Sequence, residues 1–143
     1  MAGRQELRKV GITAGYMSEL ADKELTEKII EAAITFHKQL GPGYVEAFYE
    51  KALCIELELA GVVYEVQKPV EVHYRNQLIG QHRLDLLIES RVVVELKAVK
   101  EIEPVFFSIV RSYMKALDLE SGIILNFASM PLTIKRVGRE RVS

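Results

Sequence analysis

The segment RLDLLIESRVVVELKAVK, residues 83–100, constrains the fold of this chain more than any other stretch. Its β-branched and apolar runs, 83–88 and 92–99, predict two antiparallel strands joined by a short loop. The second run is apolar on both faces of the expected strand, which is typical of the interior of a sheet and unlike an edge strand. The segment therefore predicts a hairpin inside a buried sheet.

The rest of the chain supplies further helices and strands. After Asp22, which we expect to cap a helix, apolar residues recur every three to four positions and predict a helix over 23–40. The same spacing predicts a second helix over about 45–60, and Pro104 is expected to open a third. Further strands are predicted over 62–66, 70–74, 122–127 and 133–137. This order of elements predicts an α/β sandwich in which helices pack on a mixed β-sheet.

Length and charge limit the organisation of the chain. With 143 residues, 49% of them hydrophobic, it matches one domain, which we place at 22–143 after a flexible leader over 1–21. The 19 basic and 20 acidic residues nearly cancel, so nucleic-acid binding would need a local basic patch. A single cysteine cannot form an internal disulfide, and no apolar stretch approaches the roughly 20 residues that span a membrane. We therefore expect no membrane partner and a cytoplasmic location.

Three charged residues, Asp85, Glu95 and Lys97, interrupt the apolar hairpin. Because side chains alternate along a strand, Glu95 and Lys97 share one face. A register that places Asp85 opposite Glu95 leaves a three-residue loop over 89–91, a common hairpin length. The flanking pairs in this register are Arg83 with Lys97 and Ile88 with Val92. The register thus predicts two facing carboxylates beside a lysine.

Two facing carboxylates inside a sheet repel each other, and each is costly to bury unless a partner compensates it. Lys97 can neutralise one carboxylate, and Mg²⁺ or Mn²⁺, which prefer oxygen ligands, would satisfy the pair. Such an ion activates water, and a neighbouring lysine stabilises the negative charge that develops in phosphodiester hydrolysis. The alternative is an ordinary salt bridge on a solvated face. The apolar surroundings favour the functional interpretation.

The hairpin motif is similar to one found in a known group of nucleases. Asp85, followed by Glu95-x-Lys97 within VVELKA, resembles the core motif of the PD-(D/E)XK nuclease superfamily. In that superfamily an aspartate and an E-x-K on adjacent strands assemble a metal site. The resemblance implies a restriction-endonuclease-like sandwich, with a central mixed β-sheet flanked by α-helices.

A second motif, in the turn before the second predicted helix, makes the resemblance more specific. The stretch LGPGYVEAFYEKAL contains Gly43-x-x-Glu46-x-x-Tyr49, with HKQLGPG before it and IILNFASMPLTIKRV far after it. With these segments the chain is similar to the GxxExxY protein family over roughly residues 22–138. The resemblance implies that Glu46 contributes a third acidic group to the site. The alternative is that Glu46 caps its helix while Tyr49 packs in the core.

Motif and resemblance together give a set of expected site residues. The expected metal ligands, for Mg²⁺ or Mn²⁺, are Glu46, Asp85 and Glu95. The expected catalytic residues are these three and Lys97. Tyr49 and Tyr113 are expected to support the site, and His37 is expected to make a structural hydrogen bond.

The helix after the E-x-K strand departs from the family pattern. The family commonly has a histidine near the start of this helix and a glutamine four residues before its tyrosine. In PVFFSIVRSYMKAL, Phe106 and Ile109 occupy those positions, while Tyr113 remains. Two apolar residues in place of polar ones predict weaker handling of substrate, or the loss of activity.

These observations leave competing functional hypotheses. The first is a metal-dependent nuclease that hydrolyses phosphodiester bonds in DNA or RNA. The second is a catalytically silent relative that acts as a nucleic-acid-binding or self-associating module, and a homodimer stays open under either hypothesis. A hydrolase that uses the same metal on another substrate is a third. Candidate phosphate contacts are the basic residues of IKRVGRER together with Arg75, His82 and Arg83. The alternative for IKRVGRER is a solvated tail.

Overall fold

The computed structural model describes the backbone of residues 14–139 and the side chains of residues 22–139. The helices of this part are α1 (Ala14–Leu40), α2 (Glu46–Leu59) and α3 (Pro104–Leu117). Its strands are β1 (Tyr64–Tyr74), β2 (Gln77–Ile88), β3 (Val92–Lys97), β4 (Ser121–Asn126) and β5 (Thr133–Gly138). The second and third helices agree with the expected ones, whereas the first begins earlier than expected.

The start of α1 corrects one expectation. The expected leader covered residues 1–21, of which residues 1–13 lie outside the described part, and α1 already begins at Ala14. Asp22, the expected N-cap, therefore lies within the helix. Its Oδ1 accepts hydrogen bonds from Arg91 Nη2 at 2.6 Å and Arg91 Nε at 2.9 Å. Asp22 thus joins α1 to the loop of the β2–β3 hairpin.

The strands form one mixed sheet in the order β1-β2-β3-β4-β5. β3 is central, as its apolar sequence predicts. It is antiparallel to β2 and parallel to β4. The prediction of separate strands over 62–66 and 70–74 is wrong, because β1 continues from Tyr64 to Tyr74. Pro69 does not end this strand, since β1 lies at the edge of the sheet, where a residue without an N–H is tolerated.

The β2–β3 hairpin has the predicted register. Ile88 pairs with Val92 and Leu86 with Val94, and residues 89–91 form the loop between the strands. We call residues 86–94 the closed end of the hairpin. Its paired side chains are buried and apolar, which makes this end part of the core.

Beyond the closed end, the two strands separate. The β2–β3 ladder stops before Asp85, so the predicted pairings of Asp85 with Glu95 and of Arg83 with Lys97 do not form. The Arg83 side chain instead donates a hydrogen bond from Nη1 to the carbonyl oxygen of Gln67 in β1 at 3.2 Å. We call residues 83–85 and 95–97 the open end of the hairpin.

Helices cover both faces of the sheet. α1 and α2 pack on one face through an apolar cluster that includes Leu53 and Val94. α3 packs on the other face through a cluster that includes Val93 and Met114. The approach of α3 to β4 requires Gly122, because a Cβ there would lie 2.9 Å from the Met114 sulfur. Among the helices of the described residues, none has the length and apolarity needed to cross a membrane.

Candidate active site

Two carboxyl groups meet at the open end of the hairpin. The Asp85 backbone N–H donates to Glu95 Oε1 at 2.9 Å, and the Leu96 N–H donates to Asp85 Oδ2 at 2.8 Å. The two side chains thus accept hydrogen bonds that a continuous ladder would give to backbone carbonyls. Glu95 is 6% exposed, and Asp85 is half-buried. The two carboxyl groups thus lie close together, although Asp85 and Glu95 do not form a ladder pair.

The alternation of side chains along β2 is interrupted at Asp85. A regular strand would place Leu84 and Leu86 on the same face. Leu84 instead belongs to the cluster under α3, whereas Leu86 belongs to the cluster under α1 and α2. In the neighbouring strand, Gln67 has a φ of 50° and lies at a gap in the β1–β2 pairing. The sheet is therefore irregular at the place where the carboxyl groups lie.

Burial and mutual repulsion determine the charge of the pair. Burial, and after it the negative charge of Asp85, raise the pKa of Glu95 from 4.5 to about 8. The N–H of Asp85 and the positive charge of Lys97 act in the opposite direction and are outweighed. Burial and the charge of Asp85 therefore favour the protonated form of Glu95. A cation bound at the pair would favour the release of that proton.

Lys97 follows Glu95 by two residues, and its ammonium is held by an aromatic ring of α3. Lys97 Nζ lies 4.4 Å from the centroid of the Phe106 ring. A cation–π contact of this kind contributes about 0.5–2 kcal/mol. Phe106 thus fixes the ammonium that lies near the carboxyl pair.

The N-terminus of α2 brings Glu46 to the end of β3. The preceding turn contains Gly43 with a φ of 113°, a conformation that favours glycine. Glu46 Oε1 accepts a hydrogen bond from the Ala98 N–H at 3.3 Å. Glu46 therefore lies beside the residue that follows Lys97. This contact differs from the capping alternative, in which the carboxylate would bind N–H groups of its own helix.

Tyr49 and His37 bind the loops around the core. Tyr49 is fully buried, stacks on Phe127 with ring centroids 4.5 Å apart, and donates its hydroxyl to the Gly41 carbonyl oxygen at 2.7 Å. His37 Nε2 donates to the Ser129 carbonyl oxygen at 2.8 Å, which is the expected structural hydrogen bond. Tyr49 thus supports the turn that precedes α2, and these hydrogen bonds go to loop backbone.

Tyr113 of α3 lies close to the carboxyl pair. Its side chain is buried, and its hydroxyl donates to the Arg83 carbonyl oxygen at 3.3 Å. Burial, and after it the negative charges of Glu95 and Asp85, raise the pKa of Tyr113 to about 12. The hydroxyl therefore stays protonated at neutral pH and holds β2 in place just before Asp85.

Two further polar residues lie at the site and were absent from the sequence-based set. Gln67 Nε2 donates to Glu50 Oε2 at 2.9 Å and to Asp85 Oδ1 at 3.3 Å. Glu50 follows Glu46 by four residues, and this helical spacing already indicated that both face the same way. No local pattern singled out Gln67, because its position depends on the irregular backbone of β1.

Comparison with known proteins identifies the superfamily of the chain. A family model described as the PD-(D/E)XK nuclease superfamily matches residues 23–137. The chain belongs to this superfamily. A solved structure titled "Crystal structure of SSO0001" superposes with a TM-score of 0.53 at 14% identity, over 67% of this chain and 50% of that chain. The chain thus spans about half the length of that protein, and this likeness concerns the fold alone. No curated protein matches the chain significantly.

As a member of the PD-(D/E)XK superfamily, the chain has the predicted α/β, restriction-endonuclease-like fold. Nucleases of this superfamily generally use divalent metal ions. Within residues 14–139, the five-stranded mixed sheet with helices on both faces corresponds to that fold. The Asp85 and Glu95-x-Lys97 motif lies at the open end of its central hairpin.

The open end fits a divalent ion through two carboxyl groups. Asp85 and Glu95 offer the oxygen ligands that Mg²⁺ prefers, and this ion commonly binds one or two carboxylates and keeps several waters. The raised pKa of Glu95 is consistent with a place where a cation would stabilise the ionised pair. Within residues 22–139, no three His, Cys, Asp or Glu side chains form a group that could hold an ion. Glu46, the third expected ligand, is bound to Ala98 instead.

Proposed function

We propose that this PD-(D/E)XK protein is a nuclease that hydrolyses phosphodiester bonds in DNA or RNA, with Mg²⁺ or Mn²⁺ as its cofactor. The observation that carries the proposal is the contact between Asp85 and Glu95, close to Lys97, in a central hairpin. A surface salt bridge does not account for this contact, since Glu95 is almost fully buried. Closer assignment to the GxxExxY family, on the GPGYVEAFY segment, is part of the same proposal.

The proposed roles follow from the position of each side chain. Asp85 and Glu95 hold the ion through their carboxylate oxygens, and Glu46 is the third proposed ligand. When bound, the ion lowers the pKa of a water molecule and polarises the phosphate. Lys97 orients the attacking water and stabilises negative charge on the phosphate oxygens. Phe106 keeps the Lys97 ammonium in this position through the cation–π contact.

Residues of β2 next to the site are proposed to bind the nucleic acid. His82 and Arg83 are exposed and come directly before the Leu84–Asp85 step. Cationic side chains beside a hydrolytic site bind backbone phosphates and position the chain that is cut. Binding should therefore weaken with salt, and Arg83→Ala should reduce the slope of that dependence.

A silent binding module is the second candidate function, and the α3 residues Phe106 and Ile109 favour it. Both are partly buried apolar side chains that pack on the sheet. They supply no hydrogen bond to a substrate or a water at positions where the family has polar groups. In this candidate function the protein retains the nuclease fold and binds nucleic acid without cleaving it, or associates with itself as a homodimer.

Cleavage of labelled single- and double-stranded DNA and RNA tests the proposal. Each substrate is incubated with the protein in Mg²⁺, in Mn²⁺ and in EDTA. We expect weak cleavage of at least one substrate with metal, and none in EDTA. Complete inactivity on all substrates, in wild type and in Phe106→His/Ile109→Gln, together with retained binding in a gel-shift assay, would favour the silent module.

A further inference from the structure

Gln67 has a backbone conformation that is rare for its residue type. Its φ of 50° lies in the left-handed region although the residue is inside β1. L residues seldom adopt this region, whereas glycine does so without strain. A position that needs only the bend is best occupied by glycine. Glutamine at this place therefore indicates a contribution from the side chain.

The Gln67 side chain makes two hydrogen bonds, and both go to carboxylates. Nε2 lies 2.9 Å from Glu50 Oε2 and 3.3 Å from Asp85 Oδ1. An ionised carboxylate only accepts hydrogen bonds, and an amide nitrogen carries two hydrogens, one for each partner. Gln67 thus joins α2 to β2 through hydrogen bonds assisted by charge.

With this contact, Asp85 is held at both of its oxygens. Gln67 in β1 binds Oδ1, and the Leu96 N–H in β3 binds Oδ2 at 2.8 Å. A carboxylate fixed at both oxygens has one orientation, which a preorganised site requires. α3 does not supply this support, because its sequence PVFFSIVRSYMKAL contains no amide side chain.

We propose that Gln67 is a positioning residue of the active site, which fixes the Asp85 carboxylate and joins Glu50 to it. Its effect on cleavage rests on the proposed nuclease function, whereas its effect on Asp85 can be measured without any activity. A neutral amide suits this role, since a lysine or arginine would bind the carboxylates as a counter-ion and compete with a metal ion.

Two variants and a matched control test this role. Gln67→Leu removes the amide and keeps a bulky side chain. Gln67→Gly removes the amide and also the steric strain of the left-handed backbone conformation. Gln81→Leu makes the same chemical change at an exposed position of β2. The measurements are kcat and KM of metal-dependent cleavage, the melting temperature, and hydrogen exchange of the Leu96 amide relative to that of Val94.

We expect both Gln67 variants to lose about tenfold or more in kcat with little change in KM, because a displaced group slows the chemical step. We expect the Leu96 amide to exchange several-fold faster in both, since Asp85 is then held less firmly. Gln67→Gly should melt at or above the wild-type temperature, which separates positioning from folding. Gln81→Leu should match the wild type in every measurement.

Two results would overturn the inference: wild-type kcat in Gln67→Gly, or unchanged Leu96 exchange in both Gln67 variants. If the wild-type protein cleaves nothing and binds no metal, the proposed function fails instead. In that case the exchange of the Leu96 amide alone decides whether Gln67 positions Asp85.

Discussion

The two ends of the β2–β3 hairpin lie a few residues apart and differ in packing, pairing and charge. At the closed end, Ile88 pairs with Val92 and both side chains are fully buried. At the open end the ladder stops, and Asp85 and Glu95 accept N–H groups of the opposite strand in place of backbone carbonyls. One hairpin thus contributes both to the core and to the candidate active site.

This difference separates stability from chemistry along the same pair of strands. Burial of apolar side chains at the closed end stabilises the fold. Burial of Glu95 beside Asp85 destabilises the ionised state, as the raised pKa of Glu95 shows. We therefore expect substitutions at the closed end to lower stability, whereas substitutions at the open end change activity and raise stability where they remove a buried charge.

The largest expected effect is the loss of activity in Lys97→Ala. Without the ammonium near the carboxyl pair, negative charge on the phosphate is not stabilised. The cleavage rate should therefore fall on the order of a thousandfold, which corresponds to about 4 kcal/mol of activation free energy. Lys100→Ala, at an exposed position three residues on, is the matched control and should keep full activity. Undiminished cleavage by Lys97→Ala would mean that a different site, or a contaminant, cuts the substrate.

At the closed end, Ile88→Ala should lower the free energy of unfolding by about 3 kcal/mol, because it leaves a cavity in a fully buried position. Ile79→Ala, at a position of the same strand that is 66% exposed, should change it by about 0.5 kcal/mol or less. Urea denaturation measures both values. The separation of stability from chemistry breaks down if the folded fraction of Ile88→Ala has lost the specific activity of the wild type.

Glu95→Gln should stabilise the protein in EDTA in a way that depends on pH. The pKa of Glu95 is raised from 4.5 to about 8 in the folded state, so the folded protein holds this proton more tightly than the unfolded chain. The stability that the proton contributes is therefore fully present below pH 4.5 and is lost as the pH rises towards 8. Glutamine resembles the protonated acid, so the variant should exceed the wild type by on the order of 2 kcal/mol near pH 8.

The stability difference between Glu95→Gln and wild type should shrink as the pH falls towards 5. Glu101→Gln, at an exposed position, serves as the control and should show little such change. Denaturation curves at a series of pH values measure the difference. A difference that is constant across this range would contradict the raised pKa of Glu95.

The smallest expected effect is a gain of activity in Ile109→Gln. An amide on the partly buried face of α3 would orient a water or a phosphate. We expect the cleavage rate to rise about tenfold, which corresponds to an activation free energy lower by about 1.4 kcal/mol. Adding Phe106→His restores the second polar group at the expense of the cation–π contact with Lys97. Ile109→Val keeps an apolar side chain and is the control. Equal cleavage rates in Ile109→Gln and Ile109→Val would show that the apolar side chain on α3 does not limit the activity.

The hairpin could be predicted from sequence because its signals are local. The alternation of side chains and the three-residue loop predict a register that the ladder follows up to Leu86 and Val94, next to Asp85 and Glu95. The extent of β1 could not be predicted in this way. Pro69 resembles a strand end, and only the position of β1 at the edge of the sheet explains why the strand continues.

The rest of the site depends on contacts between distant segments. The hydrogen bonds of Gln67 with Glu50 and Asp85 depend on how α2 packs beside the sheet and on a left-handed residue within β1. The contact of Lys97 with Phe106 depends on the placement of α3. No periodicity or motif reports such contacts, so the sequence indicated the carboxyl pair but not the residues that hold it.

Metal binding by Asp85 and Glu95 can be measured through the melting temperature in millimolar Mn²⁺. An ion that binds only the folded state stabilises it by RT ln(1 + [L]/Kd), so the wild-type melting temperature should rise with Mn²⁺ concentration. Asp85→Ala removes one of the two adjacent carboxylates and should abolish that rise. An unchanged wild-type melting temperature, or an equal rise in Asp85→Ala, would contradict metal binding by these two carboxylates.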